Sequence, residues 1–247
     1  MIVGFVAFVL VDAVTPGSWH YTVTQVLAQR VMVNNLLPDP DHQIWPGPYW
    51  FFGLMLQLYI VYRLVLCRRH WGVTVALMVV CVGLQLMMSP EGDAINRYRY
   101  NFMGGMLPFG LGLLYARYGN RIILTNLNTL SLLVSVVLCG FMVMWMSASY
   151  LLWSVVPLVV CILCVYVVKL LSQAARRPVG AWLMERLVWM GEISAALFVI
   201  HPTLRKVLIP ISRHGDIYTG LLLYAIAAIG AAWLIRLVMT KIPKPQM

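Results

Sequence analysis

The stretch Trp189-Met-Gly-Glu-Ile-Ser-Ala-Ala-Leu-Phe-Val-Ile-His201 runs on to Ile209 with few other polar side chains, and its reading decides the fold. At about 100° per residue, Gly191, Ser194, Phe198 and His201 fall within one narrow helical stripe. Small residues at one end admit the close approach of a neighbouring helix, and a titratable imidazole stands at the other. Ionisable groups at membrane depth are costly, so a histidine here points to function. The expectation is chemistry carried out inside a bilayer.

Working outward, the rest of the chain supports a membrane setting. Hydrophobic residues make up 62% of the 247 and charged residues 11%, with a mean hydropathy of +0.84. A soluble domain of this size needs a more polar surface. Apolar runs recur at Tyr49–Cys67, Val73–Met88, Phe102–Ala116, Leu127–Met146, Leu151–Leu171, Leu187–Ile209 and Tyr218–Met239. Most approach the roughly 20 residues that a helix needs to cross the hydrocarbon. With the shorter run Ile2–Val14, the pattern predicts an all-α polytopic bundle of about eight spans. Phe102–Ala116 is the short, glycine-rich member of the set.

The formal charge of +10 invites a nucleic-acid reading, which its distribution excludes. Arg68 and Arg69, Arg117 and Arg121, Arg176, Arg177 and Arg186, and Lys241 and Lys244 fall at alternate ends of the proposed spans. That alternation is the positive-inside pattern, and it assigns these ends and both termini to the cytoplasm. Trp19, Trp45, Trp50 and Tyr150 stand near span ends, where amphipathic rings favour the interface. Cys67, Cys81, Cys139, Cys161 and Cys164 all lie in or beside spans. The Cys161–Cys164 pair is therefore read as packing residues, and neither a disulfide framework nor a zinc pattern is visible. Met1–Val14 lacks the basic start of a signal peptide.

No linker divides the chain, so residues 1–247 are read as a single domain. Between spans, Val23, Val26, Leu27, Val31 and Met32 suggest a short amphipathic helix on the outer membrane surface. Four prolines and a glycine punctuate Leu37–Pro48 and stop any helix there. Asp39, Asp41 and His42 in that loop read as a solvated turn rather than a metal or acid–base site.

Two polar groups then invite a common site. Gln57 lies about 10–12 Å along its helix from the outer end, on nearly the face of Trp50, and His201 lies at a similar depth. They either line one outward-opening cavity or form an interhelical hydrogen bond that only holds the bundle together. Arg97-Tyr-Arg-Tyr100 sits at the outward mouth. There it either holds an anionic or sugar substrate or anchors the chain at the interface, and the second reading is the simpler. The same choice applies to Arg205, Lys206, Arg213 and His214. Glu192 lies off the histidine stripe and is expected to pair with Arg186.

These residues also carry a resemblance. Trp50-Phe-Phe, followed by Gln57 and Tyr59, resembles the W-F-L-x-x-E-x-Q-x-Y stretch of the acyltransferase 3 family of membrane O-acyltransferases. Gly191, Ser194, Phe198 and His201 resemble that family's late G-x-x-S-x-x-x-Y-x-x-H span. Leu107-Pro-Phe-Gly-Leu-Gly112 with Arg117 is similar to its mid-chain segment, and the three pieces follow in the family's order. Met55 stands where an acidic residue is often found, and Phe198 stands where the family has tyrosine. Family members usually carry about ten spans, of the width the bilayer sets. Their first span bears an arginine or lysine and then the histidine thought to be catalytic, and a cytoplasmic arginine pair linked to acyl-CoA follows. Here no Lys or Arg precedes Arg30, and the chain looks like such a protein entered at its third or fourth span.

The resemblance implies transfer of an acyl group, acetyl above all, from cytoplasmic acyl-CoA to a hydroxyl of a cell-envelope glycan or similar acceptor. It places the protein in the bacterial cytoplasmic membrane, with a histidine as general base and no metal. His201 takes a supporting catalytic role, and Trp50, Gln57, Tyr59, Arg97, Arg99 and Ser194 become candidates for substrate binding. The chain alone is expected to be inactive, with a partner protein supplying the missing spans. The alternative is a non-catalytic membrane protein: a partner subunit, a transporter-like chain or a decayed remnant.

Overall fold

The computed structural model describes residues 6–7, 9–11, 14, 23–36, 49–87, 101–119, 128–149, 152, 154–213 and 216–241. Every regular element among them is helical. In chain order these are α1 (Val23–Val31), α2 (Trp50–Val61), α3 (Trp71–Met87), α4 (Phe102–Tyr118), α5 (Thr129–Ser147), α6 (Val156–Ala174), α7 (Pro178–Arg213) and α8 (Ile217–Thr240). Four are long and apolar enough to cross a membrane: Thr129–Ser147, Val156–Ala174, Pro178–Leu208 and Ile217–Thr240. Trp50–Leu66 and Trp71–Met87 are shorter apolar helices. The protein is thus an all-helical membrane protein with four candidate spans among the described residues, where the apolar runs predicted about eight.

The chain forms two compact units. One comprises Met1–Arg30, Ile44–Tyr49 and Leu183–Met247, and the other Val31–Gln43 and Trp50–Trp182.

In the larger unit α4 packs against α2, α3 and α6, and α5 pairs with α6. Its glycines explain both its low hydropathy and its central place. A Cβ on Gly105 would lie 2.9 Å from Leu54 Cδ1, and one on Gly110 would lie 2.7 Å from Met78 Cγ. Bare backbone on α4 therefore admits the side chains of α2 and α3. Leu54, Leu58, Leu66, Met78, Cys81, Met106 and Leu107 are buried together around this contact. Lipid tails are as apolar as these side chains, so close packing rather than water exclusion holds them. Outward, α5 exposes Leu130, Leu133, Val134, Val137, Leu138 and Phe141, a continuous apolar face that suits a bilayer.

The end of α2 widens into a π-helical turn, Tyr62–Leu66, closed by Cys67 N–H donating to Tyr62 O at 2.7 Å. A tight turn follows, with Arg68 in the left-handed region (φ 59°) and Arg69 N–H bonded to Leu66 O. The guanidinium of Arg117, in the last turn of α4, donates to the Arg69 carbonyl at 2.8 Å. Two of the basic clusters assigned to one side of the membrane therefore meet at one corner of this unit.

Helix α7, which belongs to the smaller unit from Leu183 on, extends beyond the expected Leu187–Ile209 at both ends, to 36 residues. Asp216 caps α8, and Ala228 and Ala232 bury small side chains on the face that also carries Arg236. Arg236 forms an ion pair with Glu192 of α7, so the carboxylate expected to pair with Arg186 bonds instead to the next helix. Glu192 precedes the end of α7 by 21 residues and Arg236 follows the start of α8 by 19. At about 1.5 Å per residue the pair sits roughly 30 Å from the connection, about one hydrocarbon thickness.

Candidate functional site

Gly191, Ser194, Phe198 and His201 lie on one face of α7, as their spacing predicts. A Cβ built at Gly191 meets nothing within 4 Å among the described residues, so none of them makes the expected close approach at this residue. The Ser194 hydroxyl donates to its own helix, at Gly191 O, 2.7 Å away. Phe198 leans on the imidazole with ring centroids 5.8 Å apart.

His201 is half-buried, and its Nδ1 lies 2.9 Å from Phe198 O and 3.2 Å from Leu197 O. A carbonyl oxygen can only accept, so Nδ1 carries the hydrogen. In the neutral ring Nε2 then holds the lone pair. Phe198 O receives no helical amide, because the residue four positions on is Pro202, which has no N–H. The next carbonyl, Val199 O, accepts the hydroxyl of Tyr49 at 2.7 Å. Tyr49 is fully buried. One residue on from Pro202, Thr203 is buried, its hydroxyl has no hydrogen-bond partner among the described residues, and the carbonyl four residues before it is the one that accepts Tyr49. Side chains thus serve two successive carbonyls just where a proline interrupts the helix.

In the other unit, Gln57 serves as a helix cap. Its Oε1 accepts Phe102 N–H, the first amide of α4, at 3.1 Å. Asn101 Oδ1 accepts Met103 N–H at 2.9 Å, and Gln85 Nε2 donates to Met103 O at 2.8 Å. The first turn of a helix has amides without intrahelical partners, and leaving them bare in an apolar setting is costly. Three polar side chains therefore grip this turn, and the bond Gln57 makes is to a backbone amide of α4. Trp50 packs at the edge of the same core, and Tyr59 is exposed and meets Phe109 edge-on at 6.3 Å. Gln57 and His201 belong to different units, and each has partners of its own.

Arg97 and Arg99 lie outside the described residues, as do Glu91, Asp93, Asp39, Asp41, His42 and His214. Among the described residues no three His, Cys, Asp or Glu side chains stand together as a metal site, and the five cysteines are free thiols. Sequence reasoning missed Tyr49, Gln85 and the part played by Pro202. The proline immediately after the histidine was the signal for the last of these. Tyr49 offered only its position at the mouth of a span.

A family model described as an acyltransferase domain matches residues 1–237. No curated protein and no solved structure matches the chain.

Proposed function

Because this chain belongs to the acyltransferase 3 family, we propose that it transfers an acyl group, acetyl above all, from cytoplasmic acyl-CoA to a hydroxyl of a cell-envelope glycan. The acceptor oxygen bonds to the acyl carbonyl carbon as the carbon–sulfur bond breaks. The hydroxyl proton passes through a general base to the departing CoA thiolate. His201 acts in support, holding the acceptor hydroxyl, and Ser194, Trp50, Gln57, Tyr59, Arg97 and Arg99 are the further candidates for contact with substrate. Gln57 does so only if it releases Phe102 N–H.

The family match over nearly the whole chain carries this reading, and a half-buried histidine in an apolar helix agrees with it. The same reading has residues 1–247 act as one domain of about eight spans in a bacterial cytoplasmic membrane, with both termini inside.

Native membranes from cells with and without the gene, incubated with radiolabelled acetyl-CoA, test it. Alkali-labile label in envelope glycan that depends on the gene is the expected outcome. Label independent of the gene contradicts the assignment and favours a non-catalytic role.

A further inference from the structure

The turn between α2 and α3 gathers positive charge from three elements of the larger unit. Arg68 and Arg69 belong to the turn itself, and both are exposed. Arg63, in the π-helical end of α2, brings Nη1 to 4.0 Å from Cys67 Sγ. Arg117, from the last turn of α4, places its own Nη1 2.8 Å from Arg69 O. No carboxylate among the described residues pairs with any of these four. The acidic residues of this unit are Asp39, Asp41, Glu91 and Asp93. In the sequence the first two precede Trp50 and the last two follow Met87, the ends of α2 and α3 remote from the turn. A guanidinium does not give up its proton in a protein, so titration cannot relieve this crowding and a counter-anion can.

We propose that this corner binds the headgroup of an anionic phospholipid, its phosphate held by the arginines of the α2–α3 turn and by Arg117. The apolar neighbours choose lipid over a dissolved anion. Leu64 follows Arg63, Trp71 opens α3 just after the turn, and both side chains are exposed. Exposed leucine and tryptophan beside arginine suit the boundary where acyl chains meet headgroups, and indole rings favour that level. The planar guanidinium fork matches two phosphate oxygens at once, and a net negative headgroup is drawn to clustered arginines at a membrane surface. Arg117 spends one N–H on the Arg69 carbonyl, which fixes it beside the turn and leaves its other donors for the phosphate. A bound lipid would thereby tie the end of α4 to the α2–α3 turn.

Native mass spectrometry of the purified full chain in detergent, titrated with phosphatidylglycerol, phosphatidylcholine or inorganic phosphate, tests this. The wild type is expected to retain phosphatidylglycerol in preference to both of the others. Arg68→Gln and Arg117→Gln are each expected to weaken that binding by about fivefold. Lys241→Gln removes the same charge from the end of α8 and should leave it unchanged. Arg117→Gln also loses the bond to Arg69 O, so Arg68→Gln, whose side chain is exposed, decides the matter if the other fails to fold. Equal retention of phosphatidylcholine overturns the proposal, because apolar contact alone would then account for binding. Inorganic phosphate bound as tightly as the lipid also overturns it, in favour of a free anion. So does a loss in Lys241→Gln equal to that in Arg68→Gln, which would mean a diffuse field, or no loss in Arg68→Gln.

Discussion

The hydroxyl of Tyr49 donates to the carbonyl of Val199 across 150 residues of sequence, at 2.7 Å. It joins the residue just before α2 to the middle of α7, within one compact unit. Tyr49→Phe keeps the ring and deletes only this bond, and it is expected to destabilise by about 1 kcal/mol. Tyr49→Ala also empties a fully buried site and should cost about 3–5 kcal/mol, as large aromatic truncations do. Thermal unfolding in detergent, with both variants side by side, checks the order and the gap.

The grip on the first turn of α4 gives a second ordering. Gln57→Leu strands the single N–H of Phe102 and is expected to cost about 1–3 kcal/mol. Gln85→Leu removes a donor to Met103 O, which keeps its intrahelical amide, and should cost less. Stability curves for the two variants and their double mutant test this. Equal losses, or a larger one for Gln85, would contradict the capping role of Gln57.

How much of this was legible in the sequence differs by scale. The existence of helices at Thr129–Ser147 and Ile217–Thr240 followed from apolar runs, because lipid demands long apolar segments whatever their neighbours, and that at Val23–Val31 followed from its amphipathic spacing. The ends of α7 did not, since Arg186 and Arg205 break the hydropathy while the backbone stays helical through both. At the site, the common face of Ser194, Phe198 and His201 is a property of spacing. The partner of Gln57 is a backbone amide 45 residues away, and the partner of Glu192 a guanidinium 44 away; spacing says nothing of either. The His201–Pro202 neighbourhood was readable, because a proline's missing amide always frees the carbonyl four residues back.

The Glu192–Arg236 pair stands roughly 30 Å along α7 and α8 from their connection, and both side chains are partly exposed. Where such partly exposed pairs meet water they are worth about 1 kcal/mol or less. Glu192→Gln and Arg236→Gln are each expected to lower stability by no more than that, and the double mutant by less than the sum. A loss of about 3–5 kcal/mol in either single variant would place the pair in a dry environment instead.

Asp216 caps α8, where its carboxylate accepts the Thr219 backbone N–H at 3.1 Å and the Thr219 hydroxyl at 3.0 Å. The backbone hydrogen bond, then the hydroxyl, hold this carboxyl below the ordinary aspartate range. A lowered folded-state value means the cap's contribution is complete above the unfolded range near about 4 and is lost as pH falls through the folded value. Wild-type stability should therefore fall more steeply than that of Asp216→Asn on acidification below about pH 4. Parallel slopes, measured by unfolding at successive pH values, would remove Asp216 from the pH response.

The most direct measurement is the kinetics of acyl transfer in native membranes carrying His201→Ala, with acceptor and acyl-CoA varied separately. If His201 holds the acceptor hydroxyl, the acceptor KM rises by about three- to tenfold while the acyl-CoA KM stays as in the wild type. An unchanged acceptor KM, or a change confined to acyl-CoA, would contradict that role.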